Sequence, residues 1–312
     1  MTKPRMRSNH RFGYGWSTVK KDANHVTRFF TKIVLALFAL SIFKSALGAD
    51  PVADVHAGIA ARKRGDYAEA IRLYTRALES KGLSQSNRAI ALNNRCNVYN
   101  DKAQYDSAIA DCDEAIQLKP DSPLPFNNRG NSHTSLGRYD RAILDYDEAQ
   151  RLNPHFALAV NNRGLAHYYK GDYQLAEADF DKSIALNLKY PYAALRLYFT
   201  RQRLGIDGRA QLAAQAARFD LTDWPGPLIQ LYLSKIDPTE ALMKAQHANA
   251  KTNREQLCEA NFYIAEYHLG RGDRAAAVAQ FLAAEEACKL LPGFVEYHGV
   301  KTELKRLNGS LR

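Results

Sequence analysis

Between residues 51 and 190, small, aromatic and polar positions return in a fixed order. The tripeptides Gly65-Asp66-Tyr67, Ala103-Gln104-Tyr105, Gly137-Arg138-Tyr139 and Gly171-Asp172-Tyr173 stand 38, 34 and 34 residues apart. With each Gly or Ala of these turns placed at position 15, the units begin at Pro51, Ala89, Pro123 and Ala157. Position 8 then holds Gly58, Cys96, Gly130 and Gly164, and position 20 holds Ala70, Ala108, Ala142 and Ala176. Position 24 holds Tyr74, Cys112, Tyr146 and Phe180. Small side chains at 8 and 20 let two antiparallel helices approach, and the larger group at 24 fills the space behind them. Pro120 and Pro154 at position 32 stop the second helix of their units. The pattern predicts an all-α chain of helix pairs, each stacking on the next.

A fifth, degenerate unit is expected at residues 191–218, with Tyr198 in place of the small residue at position 8. Residues 219–257 break the period and predict an irregular insert, with short helices at 228–233 and 238–248. The pattern returns at Cys258–Leu291, where Gly272 is position 15, Ala265 position 8, Ala277 position 20 and Phe281 position 24. Pro292-Gly293 breaks the chain. Phe294 to Leu307 predicts a last amphipathic helix, suited to capping the open end of a stack.

These recurring positions resemble the tetratricopeptide (TPR) family. The implied fold is an α-α superhelix, a TPR solenoid with repeats at 51–84, 89–122, 123–156, 157–190 and 191–218 and a C-terminal capping helix. The implied activity is protein–protein interaction: the first helices line a concave face that holds extended peptides or other proteins. Asp223-Trp224-Pro225, LIQLYLSKI, ANFYIAEYHLGRGD and Phe294-Val295-Glu296 also resemble the C-terminal half of the new-lipoprotein-I family of bacterial envelope TPR proteins. That resemblance implies an envelope adaptor, often a homodimer, bringing cell-wall hydrolases to a protease. The family's lipid-acceptor Cys is missing, since Asp50 follows Ala49 and the first Cys is Cys96.

On the expected inner wall, positions 5 and 6 of three units are Asn93-Asn94, Asn127-Asn128 and Asn161-Asn162. An Asn side chain can pair with both the C=O and the N–H of a peptide without reading its sequence. Asn94, Asn128 and Asn162 would form a ladder spaced one repeat apart. The competing reading is that these amides satisfy loops and helix ends between repeats. Asn97, Asn131, Asn100 and Thr134 extend the polar strip, Arg62 and Lys63 make its start basic, and Leu165, Tyr168 and Tyr169 make its far end aromatic. Asn93 and Asn127 stand where a carboxylate clamp needs Lys, which excludes that specificity. Arg95, Arg129 and Arg163 recur with Asp111/Asp113, Asp145/Asp147 and Asp179/Asp181, as expected of ion pairs stapling the stack.

The net charge of +10 suggests nucleic acid until it is located. Residues 1–48 hold nine Lys or Arg and one acid, and the remainder holds 34 basic against 32 acidic residues. No phosphate-tracking surface is expected. The basic arm precedes the apolar run Ile33–Phe43 and the small residues around Ala46–Ala49, in the order of a secretory signal peptide cleaved near Gly48 or Ala49. Eleven helical residues span roughly 16 Å, about half a bilayer core. The expected location is therefore periplasmic or secreted, the alternative an assembly factor anchored in the inner membrane by an uncleaved N-terminal segment. An exported chain invites disulfides. Cys258 and Cys288 should meet at the ends of antiparallel helices. Cys96 and Cys112 look about one helical turn out of register, which favours buried thiols over a bridge. No C-x-x-C, H-E-x-x-H, phosphate loop or G-x-S-x-G is present, so neither catalysis nor a cofactor is expected. His133, His167 and His268 at position 11 read as core filling rather than metal ligands.

Overall fold

In a computed structural model, residues 50–186 and 189–309 are described; the signal-peptide reading of residues 1–48 lies outside them. The described chain is helical, and no strand occurs among these residues. Five helix pairs come first: α1 (Pro51–Lys63) with α2 (Tyr67–Glu79), α3 (Gln85–Asp101) with α4 (Tyr105–Leu118), α5 (Pro123–Ser135) with α6 (Tyr139–Leu152), α7 (Ala157–Lys170) with α8 (Tyr173–Ala185), and α9 (Pro191–Arg203) with α10 (Arg209–Ala216). Then come α11 (Gly226–Tyr232), α12 (Pro238–Lys244), α13 (Ala250–Gly270), α14 (Arg274–Cys288) and α15 (Val295–Gly309).

The repeat positions act as their sizes require. Ala70, Ala108, Ala142, Ala176 and Ala277 are fully buried. A Cβ on Gly58 would stand 2.6 Å from the Tyr74 ring, and one on Gly130 would stand 2.7 Å from that of Tyr146. Positions 8 and 24 therefore lie directly opposite each other. This corrects the expectation for Cys96 and Cys112, which occupy the same two positions: they face each other with Cα atoms 5.8 Å apart and are joined as a disulfide. Cys258 and Cys288 are joined as well, with Cα atoms 4.8 Å apart. The turn residue needs a left-handed backbone, supplied by Gly65, Gly137, Gly171, Gly205 and Gly272; Ala103 adopts it at φ 55°.

The staples run between repeats as well as within them. Arg129 pairs with Asp145 of its own repeat and with Asp113 of the preceding one, the latter at 2.5 Å. Arg163 pairs with Asp179 and, one repeat back, with Asp147. Arg95 pairs with Asp111 at 2.7 Å and reaches back to the Thr75 hydroxyl at 2.8 Å.

Two elements differ from expectation. Helix α13 starts at Ala250, two turns before Cys258, because the Asn249 side chain accepts from the Lys251 and Thr252 amides and caps it. The last helix packs on α13 and α14, as a cap would, but it also lies against earlier repeats.

Candidate peptide-binding groove

The first helices α1, α3, α5, α7 and α9 line the inner face. The asparagines there spend their amides mainly on one another. Asn128 donates to Asn93 Oδ1 at 2.8 Å, and Asn127 donates to Asn128 Oδ1 at 3.3 Å. Asn162 donates to Asn127 and Asn131, and Asn161 donates to Asn162. Asn93, Asn127, Asn128 and Asn161 are buried. A buried amide needs partners, and a neighbouring repeat carrying the same residue supplies them. The ladder is therefore a seam between repeats in which Asn93, Asn127 and Asn128 are spent, while the buried Asn161 donates to Asn162 of its own repeat and its Oδ1 has no hydrogen-bond partner. Asn94 stays half-buried beside the seam.

Tyr168 also leaves the proposed site. It has no exposed surface, its hydroxyl donates to Glu266 Oε2 at 3.0 Å, and its ring packs on Phe199 at 4.9 Å. Leu165 and Tyr169 are buried too. What covers them is the C-terminal part of the chain. Lys251, near the start of α13, sits over the Tyr67 ring of the first repeat at 5.9 Å. Tyr105 of the second repeat donates to Pro292 O at 2.8 Å. Tyr139 of the third pairs with Thr302 at 3.0 Å. Arg203 of the fifth donates to Glu266 and Glu303, each at 2.9 Å. Burial raises the Glu266 carboxyl to about 7. The periodicity carried no signal for this cover, because its contacts join residues 63 to 187 positions apart.

What remains open is a cavity of about 240 Å³ between the first helices and the Gly293–Val295 segment. Asn97, Asn131 and Asn162 stand on its wall, with Leu158 and Tyr190 as apolar panels. Arg62 of the first repeat borders it, held by Asp101 at 2.7 Å, as does Arg196 of the fifth. Four side-chain amides, Asn97 and Asn100 of the second repeat, Asn131 of the third and Asn162 of the fourth, thus border a space large enough for a side chain or a turn of peptide. Among the described residues no group of three or more His, Cys, Asp or Glu stands where it could hold a metal ion.

Tetratricopeptide repeat family profiles match residues 56–123, 123–156 and 157–190. This is a tetratricopeptide-repeat protein. The TPR array also has likenesses among solved structures, all at low identity. The type IV pilus biogenesis factor PilW is 19% identical with a TM-score of 0.48, over 81% of this chain and 99% of that one. PilF of Pseudomonas aeruginosa is 19% identical with a TM-score of 0.47, over 81% and 97%. A MamA protein is 19% identical with a TM-score of 0.45, over 61% and 97%.

Proposed function

We propose that this TPR protein is a non-enzymatic scaffold or adaptor of the bacterial cell envelope, holding polypeptide partners on its concave face. The observation that carries the reading is the inner-face cavity, where Asn97 and the Asn131 side-chain N–H groups face the space while Asn162 and Asn131 Oδ1 are already paired within the seam. Amide side chains in a partly desolvated cleft pair with peptide groups more strongly than they do in water. The envelope location is supported by the signal-like order of residues 28–49 and by two disulfides, which persist in oxidising compartments. N-terminal sequencing of the protein from an envelope fraction tests export: a start near Ala49 is expected, and an intact residue 1 refutes cleavage.

The groove is tested by a photo-crosslinking amino acid placed at Asn97, with the exposed Leu144 as control. Crosslinks to a distinct polypeptide from position 97 and none from 144 are expected. Crosslinks from 144 alone refute the concave face as the docking site.

A further inference from the structure

A helix that merely caps a solenoid touches the last repeat. Helix α15 touches four earlier ones: Tyr105, Tyr139, Tyr169 and the pair Arg196/Arg203 belong to repeats two to five. Its docking face has a simple code. Glu296 and Glu303 lie seven residues apart, two helical turns on one side. Arg196 and Arg203 lie seven apart on α9 and receive them, Arg196 at 3.7 Å from Glu296 and Arg203 at 2.9 Å from Glu303. Both acids are buried. Midway between them Gly299 lets the helix approach; a Cβ there would stand 2.5 Å from the Tyr169 hydroxyl and 2.8 Å from the Phe262 ring. Val300, Leu304 and Leu307 complete the face.

We infer that the inner face is a receptor for an amphipathic helix bearing two carboxylates seven residues apart around a small residue, and that α15 occupies it in cis. This rests on the proposed groove and names the partner it fits: a trans helix of the same code, which takes the place of α15 and uncovers the surface beneath. The occupant is suited to exchange. It follows the Pro292-Gly293 break, and its central fixings are two ion pairs rather than apolar contacts alone.

The test uses the full chain and a fluorescent synthetic peptide of residues 294–309. Glu303→Arg sets two cations against each other at Arg203 and releases α15. Fluorescence anisotropy is expected to show the peptide binding this variant on the order of tenfold tighter than wild type, because the cis competitor is gone. A peptide carrying Glu303→Arg is expected to lose binding. A variant with wild-type helix content that binds no peptide, or binds no better than wild type, overturns the inference. If the variant fails to fold, hydrogen exchange on the wild type decides. Amides of α15 opening before those of α7 and α9 support exchange, and α15 opening only with them overturns it. Persistent crosslinks from Asn97 beside a failed peptide experiment would sink the cis occupant and leave the scaffold standing.

Discussion

Asn128→Ala separates a structural seam from a peptide ladder. In the structure the Asn128 amide donates to Asn93 Oδ1 and accepts from Asn127. Removing it strips Asn93, itself buried, of a donor and leaves one Asn127 donor without an acceptor. A buried polar group left unpaired costs about 1–3 kcal/mol. Two such groups, partly relieved by relaxation, bring the expected loss to about 2–4 kcal/mol. Asn97→Ala, at a partly exposed position on the cavity wall, should change stability by less than about 0.5 kcal/mol. Urea unfolding followed by circular dichroism measures both, and in a chain of this size each kcal/mol moves Tm by about 2–4 °C. A loss below about 0.5 kcal/mol for Asn128→Ala, with partner crosslinking abolished, would refute the seam and restore the ladder.

Three further outcomes follow from the same geometry. Burial raises the Glu259 carboxyl to about 7 from an ordinary value near 4.5, against hydrogen bonds from Tyr192 and Trp224. The folded chain thus holds a proton there that the unfolded chain has lost, so this group's contribution to stability falls as pH rises from about 4.5 to about 7. Glu259→Gln keeps an acceptor for both donors and should gain about 1–2 kcal/mol on wild type at pH 8 but little at pH 4.5, read by urea titrations at both pH values; equal effects at the two would refute it. Cys258→Ser with Cys288→Ser opens a closure of sequence separation 30 and should cost about 3 kcal/mol, measured against the unsubstituted oxidised chain; unchanged stability would contradict a formed bridge. Arg129→Met leaves the buried Asp145 carboxylate without its counter-ion and should cost about 3 kcal/mol. Adding Asp145→Leu and Asp113→Leu should recover most of that loss in the same assay, and no recovery would argue against the staple.

The stack was legible in the sequence because it is built from contacts within one repeat length. Ala142 and Tyr146 announce a helix pair by size alone, and their recurrence fixes the period. The asparagines were legible as a row but not as a role. An amide that can reach a peptide can equally reach the same amide one repeat away, and only the spacing of α3, α5 and α7 decides between them. Cys96 and Cys112 were misread because register was judged along the helix axes, whereas the ring contacts at Gly58 and Gly130 show those two positions meeting across the pair. The cover over Tyr168 and Tyr169 had no repeating counterpart. Its determinants, Glu266, Glu296, Gly299 and Glu303, each occur once, and they answer Arg196 and Arg203 in the most degenerate repeat. Periodic reading finds what recurs, and this surface is built from what does not.

The ion pairs between repeats also set where the array is soft. Arginine at position 7 binds its own repeat and leans on the one before only at Arg95, Arg129 and Arg163. The first repeat has Ala57 there and the fifth has Leu197. The middle of the spring is riveted coil to coil by ion pairs along this line, while the first coil is held there through the neutral Thr75 hydroxyl and the fifth through the neutral Gln211 amide on Asp181. Along this line, tension drawn through the superhelix would reach the hydrogen-bonded outer junctions before the charged rivets of the centre.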